Sequence, residues 1–193
     1  MNTYASLLPF LVPELPGAHQ YYLTQQLTAV ARDFCVRSEA YYADLTAIDI
    51  VAAQTDYTLT APAAADIVKV ASVEVDEVGL SQDDYSVVQV ATWTLTLQAT
   101  PTAASTGGLV VTVILQPAVD ATELPEYLVE RWYLAIVAGV KARMMRQTRK
   151  PWSDPAEAAA SLREYHRGIA LARNLTAKGY RHANLSLQIP DFV

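Results

Sequence analysis

The side chains that could do chemistry are few and scattered. His19, His166 and His182 lie in different stretches and lack metal-ligand spacing. Cys35 is the only cysteine, with no histidine near it in sequence, so it reads as a small buried apolar residue rather than a nucleophile. Asp76-Glu77 and Asp83-Asp84 flank Gly79 and could gather a cation. Their spacing does not match an EF-hand loop, and acids in β-turns are ordinary. Asn174-Leu-Thr176 and Asn184-Leu-Ser186 fit the glycosylation pattern without a secretion signal to support it. There is no nucleophile elbow, phosphate-cradling glycine loop or cysteine pair. The expectation is a protein without enzymatic activity, bound metal or cofactor.

One cluster of charge remains. Arg146, Arg149 and Lys150 follow Lys141 and Arg143 at the end of a helical stretch. Cations are favoured there by the negative end of the helix dipole, which suffices for Arg143. For Arg146, Arg149 and Lys150, contact with phosphate or an acidic partner stays open.

The elements around this cluster form a helical hairpin. In TELPEYLVERWYLAIVAGVKARMMRQ, Leu128, Trp132, Ile136, Val140 and Met144 recur every four residues, and Val129, Tyr133 and Val137 widen the band. Pro151 stops this helix. Asp154, Pro155 and Glu157 then supply an N-cap, a first-position proline and a capping-box acid. Ala158, Leu162, Tyr165, Ile169 and Ala172 stripe the second helix, which ends at Gly179. Trp152 is expected to anchor the hinge.

Ahead of the hairpin, residues 1–17 form a short helical or extended lead. A first helix runs from Ala18 to about Asp44, striped by Leu23, Leu27, Val30, Ala31 and Phe34. From Leu45 to Ala118 the period falls to two, in six or seven short strands. A phase slip between Val70 and Val73 predicts a bulge, and ATPTAASTGG (99–108) reads as the tip of a hairpin free of packing duties. After the last helix, Leu185, Leu187 and Ile189 alternate before Pro190, Phe192 and Val193. That tail either folds back as an edge strand or adds a strand to another subunit.

The expected fold is therefore α+β: a three-helix bundle with a small antiparallel β-sandwich or barrel inserted between helix 1 and the C-terminal hairpin, plus an extended arm. Its parts are a lead and first helix (1–44), a β lobe (45–120), the hairpin (121–179) and the arm (180–193). Just over half of the 193 residues are apolar, enough for a well-buried core. The apolar start is broken by prolines and lacks a basic segment, which speaks against a signal peptide. The run from Trp132 to Val140 is far below the roughly 20 residues of a membrane span. Charge is lopsided. Residues 1–130 hold three basic side chains against sixteen acids, and residues 131–193 hold eleven against four, about −13 and +7 in a chain of net −6. These are either two faces of one domain or the ends of a polar stack in which molecules meet in one orientation; neither implies sequence-specific nucleic-acid binding.

One set of residues is similar to a known family. Ala31, Phe34-Cys35 and Ser38 in the first helix precede the β insertion and then Trp132, Ile136, Gly139 and Arg143-Met144. The hinge Pro151-Trp152-x-Asp154-Pro155-x-x-Ala158 follows, with Gly168-Ile169-x-x-Ala172-Arg173 beyond it. Together these resemble the head-to-tail adaptor (connector or neck) proteins of tailed bacteriophages, with Tyr165 in place of an expected phenylalanine. The resemblance implies a structural virion protein made in the bacterial host cytoplasm. It would form a ring, usually a dodecamer, between the portal and the next neck or tail protein, around the DNA ejection channel. It also implies an arm that reaches into the portal, making Leu185, Leu187, Ile189, Phe192 and Val193 the docking residues. A tail-completion or tail-terminator protein is the alternative in the same setting. A DNA-binding protein using the basic helix end is the alternative of another class.

Overall fold

A computed structural model of the chain describes residues 2–177. Over the described residues it is an α+β fold, with three α-helices, a short 3-10 helix and a curled antiparallel half-barrel of strands. Among the described residues no helix is long and apolar enough to cross a membrane.

Helix α1 spans Gln20–Ser38, starting where Nδ1 of His19 accepts from the Tyr21 amide at 3.3 Å. It buries Leu23, Leu27, Val30, Ala31 and Phe34, the stripe that its periodicity marks. It ends earlier than expected. Glu39 turns left-handed (φ 58°), its amide donating to Cys35 O, and the Ser38 hydroxyl takes the Ala40 amide. Tyr42–Asp44 is then a strand, β2, whose Asp44 accepts from the Thr112 hydroxyl at 2.6 Å. The cross-strand partner wins these residues from the helix, and nothing local announces it.

The long strand β9 (Ser105–Pro117) organises the sheet. It pairs with β2 and β3 (Ile48–Ile50) on one side and with β5 (Ala65–Val75) on the other. Leu109, Val111, Val113 and Leu115 point into the core, as alternation requires. On β5 the register shifts twice, between Ile67 and Lys69 and between Val70 and Ser72. Each bulge adds a residue, so Ile67, Val70 and Val73 face Leu115, Val113 and Val111 at a spacing of three. The sequence marks only the second. Beyond β5 a two-residue turn at Asp76 and Glu77, both at positive φ, leads into β6 (Val78–Gly79).

A second sheet has the order β4 (Asp56–Leu59), β8 (Trp93–Leu97), β7 (Tyr85–Gln89) and buries Tyr57, Leu59, Leu95 and Leu97. The stretch 99–108 is therefore not a hairpin tip: residues 99–104 carry the chain from β8 in one sheet to β9 in the other, and 105–108 open β9 itself. Nor is it free of duties. Pro101 O accepts from the Ala53 amide, Ser105 binds Asp76, and the Gly107 amide donates to Asp49 at 2.7 Å. An added Cβ at Gly108 would lie 2.5 Å from both Asp76 Oδ1 and Ser105 Oγ, so it would displace their hydrogen bond.

At the other end, β1 (Asn2–Thr3) pairs with β10 (Glu123–Leu124). That ladder takes the residues expected to open the hairpin, so α2 runs from Glu126 to Met145. The 3-10 helix Tyr4–Phe10 follows β1, and Tyr4, Leu7, Leu11 and Leu15 are buried. Helix α3 (Pro155–Ala177) returns antiparallel to α2 and buries Ala158, Tyr165, Ile169 and Ala172. Asp154 Oδ1 caps it, accepting from the Ala156 and Glu157 amides at 3.0 Å. The capping-box half is absent: the Asp154 amide donates to Met145 O, and Glu157 turns to Lys141 at 3.1 Å. Buried side chains of helices and strands form one cluster.

Two glycines let the helices approach. A Cβ on Gly139 would come within 2.6 Å of Val30 Cγ1 and 2.8 Å of Tyr165 Cδ2, and one on Gly168 would overlap the Ala135 Cβ. Gly168→Val should therefore cost about 1–3 kcal/mol from overpacking, read as a lowered urea midpoint. The same change at exposed Ala170, two residues on, should stay within about 0.5 kcal/mol. Equal effects at both sites would mean that α2 and α3 are not in close contact at Gly168.

Candidate functional site: a basic cleft between the helices

The three expected contact residues do not stay together. Arg149 sits at positive φ (61°) in the turn after α2, and Lys150 lies over the Trp152 ring, 5.8 Å from its centroid. Trp152 packs against the core as the hinge anchor. Only Arg146 enters a cleft, of ≈ 710 Å³, between α1 and the α2–α3 pair. There it is joined by Arg143 from α2, Asp33 and Arg37 from α1, and His166 from α3.

The α1 wall is held in place. The Tyr165 hydroxyl, buried among the three helices, donates to Asp33 at 2.7 Å. Burial, then the Asp33 hydrogen bond and its negative charge, push that phenol well above the usual tyrosine range. A phenylalanine there would pack but could not bind Asp33. Arg37 lies 3.4 Å from Asp33 and 6.0 Å from the centre of the Tyr165 ring. Across the cleft, Arg143 in the last turn of α2 and Arg146 just past its end are exposed, three residues apart. Three arginines against one carboxylate give an electropositive concavity suited to an anion.

The other candidates have structural roles. His19 caps α1, and Cys35 is fully buried, with burial pushing its thiol up to about 12. Asp84 accepts from the Ser81 amide and hydroxyl, which hold its carboxyl below its ordinary value. Asp76 accepts from Ser105. Among the described residues no group of three or more His, Cys, Asp or Glu could hold a metal ion. Asn174 is exposed on α3. His182, Asn184 and the arm residues Leu185, Leu187, Ile189, Phe192 and Val193 lie outside the described residues.

Asp33, Arg37, Arg143 and His166 were not legible as a set. The one sequence signal was that Asp33 and Arg37 fall off the apolar stripe of their helix at i,i+4 spacing. No protein-family model matches the sequence, and no curated protein matches it either.

Proposed function

We propose that the chain is a structural head-to-tail adaptor of a tailed bacteriophage, a ring-forming virion protein of the neck that binds the portal and joins capsid to tail. In this reading α1, α2 and α3 act as a three-helix bundle, and the strands between α1 and α2 form an inserted β-sandwich or barrel lobe. The observation that carries it is where the family-like residues fall. Of these eighteen residues, Trp152 is half-buried and Arg143, Pro151, Asp154, Pro155 and Arg173 are exposed, while Ala31, Phe34, Cys35, Ser38, Trp132, Ile136, Gly139, Met144, Ala158, Gly168, Ile169 and Ala172 are buried. They meet across the helices: Phe34 lies 5.9 Å from Trp132, and Gly139 admits Val30 and Tyr165. Matches scattered over 140 positions of sequence thus form one packing unit, which supports reading the likeness as a shared core rather than as chance.

The ring, with twelve copies as the expected number, would surround the DNA channel without reading its sequence. The acidic β lobe would keep the duplex from sticking to the wall; acidic residues turned away from the channel in an assembled particle would remove that idea. DNA binding through the basic cleft is the weaker reading, because Asp33 lies among the arginines and the whole chain is acidic.

Deleting residues 180–193 is expected to leave the helices folded by circular dichroism and to abolish co-sedimentation with the portal ring of the same virion. Portal binding that survives the deletion would dismiss the docking arm. A 193-residue chain that ignores the portal altogether would dismiss the adaptor.

A further inference from the structure

The cleft is basic, and the far end of the β lobe is acidic. Between residues 45 and 117 one lysine faces eight acids. Four of these, Asp76, Glu77, Asp83 and Asp84, are exposed in the turns that follow β5 and β6. The β5–β9 ladder fixes where they sit. At one end Ala65 pairs with Pro117, and Arg32 of α1 ties down Asp66 at 3.0 Å and the Pro117 carbonyl. At the other end Val75 pairs with Leu109, next to the Asp76-Glu77 turn. Eleven strand residues separate the two ends, a span of roughly 30 Å at about 3.3 Å per residue. A paired ladder is not a hinge, so the acidic turns of one chain do not reach the cleft of the same chain.

We infer that the basic cleft of one copy receives the acidic turns beside β6 of a second copy, with Arg143 and Arg146 meeting Glu77 and Asp83. Guanidinium and carboxylate pair with fixed geometry and with opposite charge, which selects orientation as well as contact. Because the two surfaces are different, a pair of copies keeps one cleft and one set of turns unused. The contact is heterologous and propagates into a ring or a filament. The inference rests on the self-assembly in the proposed function and names its surfaces. A DNA duplex is the poorer occupant, since its phosphates would meet Asp33 in the cleft.

All four side chains are exposed, and Glu77 and Asp83 take no part in the turn hydrogen bonds of Asp76 and Asp84. Charge reversal therefore tests the contact without disturbing the core. Self-association of the 193-residue chain is measured by sedimentation at low and at moderate ionic strength. Association should weaken as salt rises. Arg143→Glu with Arg146→Glu, and separately Glu77→Lys with Asp83→Lys, should each weaken it by at least about tenfold. An equimolar mixture of the two variants should regain it, because each reversed cleft then meets a reversed turn. Association indifferent to both pairs, or a mixture that does not recover, overturns the contact. So does a wild-type chain that stays monomeric at low salt. Retention on duplex DNA that the arginine reversals abolish would give the cleft to phosphate and also overturn it. None of these results touches portal binding, which the arm deletion reads independently.

Discussion

Trp132→Ala is expected to lower the stability of the chain by about 3–5 kcal/mol. The side chain is 7% exposed and packs its ring against Phe34, which is fully buried, so truncation opens a cavity where α1 meets α2. One term works the other way. The indole Nε1 is buried without a hydrogen-bond partner, and removing it relieves a desolvation cost of about 1–3 kcal/mol. Trp132→Phe separates the two terms, because it keeps most of the ring and discards the unmet N–H. It should cost less than about 1.5 kcal/mol. Urea denaturation of both variants checks this. A midpoint unmoved by the alanine would mean that the α2 stripe faces solvent, and equal losses in both would mean that ring volume is not what Trp132 supplies.

The second large effect is alkaline unfolding. Burial pushes the Cys35 thiol up to about 12 and the Tyr4 phenol up to about 12, and the Tyr165 phenol lies above its ordinary value for the reasons given. Burial also raises Tyr41 and Tyr127, although Tyr127 is 40% exposed and contributes less. In each case the folded state holds its proton more tightly than the unfolded state. The stability gained is fully present below the unfolded pKa and is lost as pH climbs towards the folded one. The loss begins near the ordinary thiol value of 9.0 for Cys35 and near 10.0 for the tyrosines. At about 1.4 kcal/mol per group per pH unit, Cys35, Tyr4 and Tyr165 together remove roughly 5 kcal/mol between pH 9 and pH 11. That is a large share of the 5–15 kcal/mol typical of a domain. Denaturant midpoints at pH 8, 9.5 and 11 measure it, and Cys35→Ala should move the onset up by about one pH unit. A midpoint that is flat to pH 11 would mean that these groups are wetter than their burial implies.

How much of this could be read from the chain depends on how far each interaction reaches. The stripes on α1, α2 and α3 were legible because helical periodicity is local: Leu128 to Met144 repeat every four residues whatever they pack on. So was the Asp154-Pro155 start of α3, where the capping bonds span two and three residues. Cys35 was readable as a buried apolar residue from the stripe it borders. The places where expectation and structure part are those settled by distant partners. Asn2 pairs with Leu124, Asp44 with Thr112, and Gly107 with Asp49. Those pairings shorten two helices and turn an assumed hairpin tip into a crossing between sheets. The first bulge of β5, between Ile67 and Lys69, is equally silent, because it exists only relative to β9.

The cleft lies furthest from the sequence. Asp33 and Arg37 come from one helix and Arg143 and Arg146 from another, about a hundred residues away. What aims them at one volume is the closeness of α1 to α2 and α3, set by Gly139 against Val30 and by the Tyr165 hydroxyl on Asp33. The sequence alone determined which faces are greasy and where charge of each sign accumulates, since both are sums over neighbouring residues. Only the tertiary structure decided which charges share a cavity, because that depends on close approach between segments that carry no local record of one another.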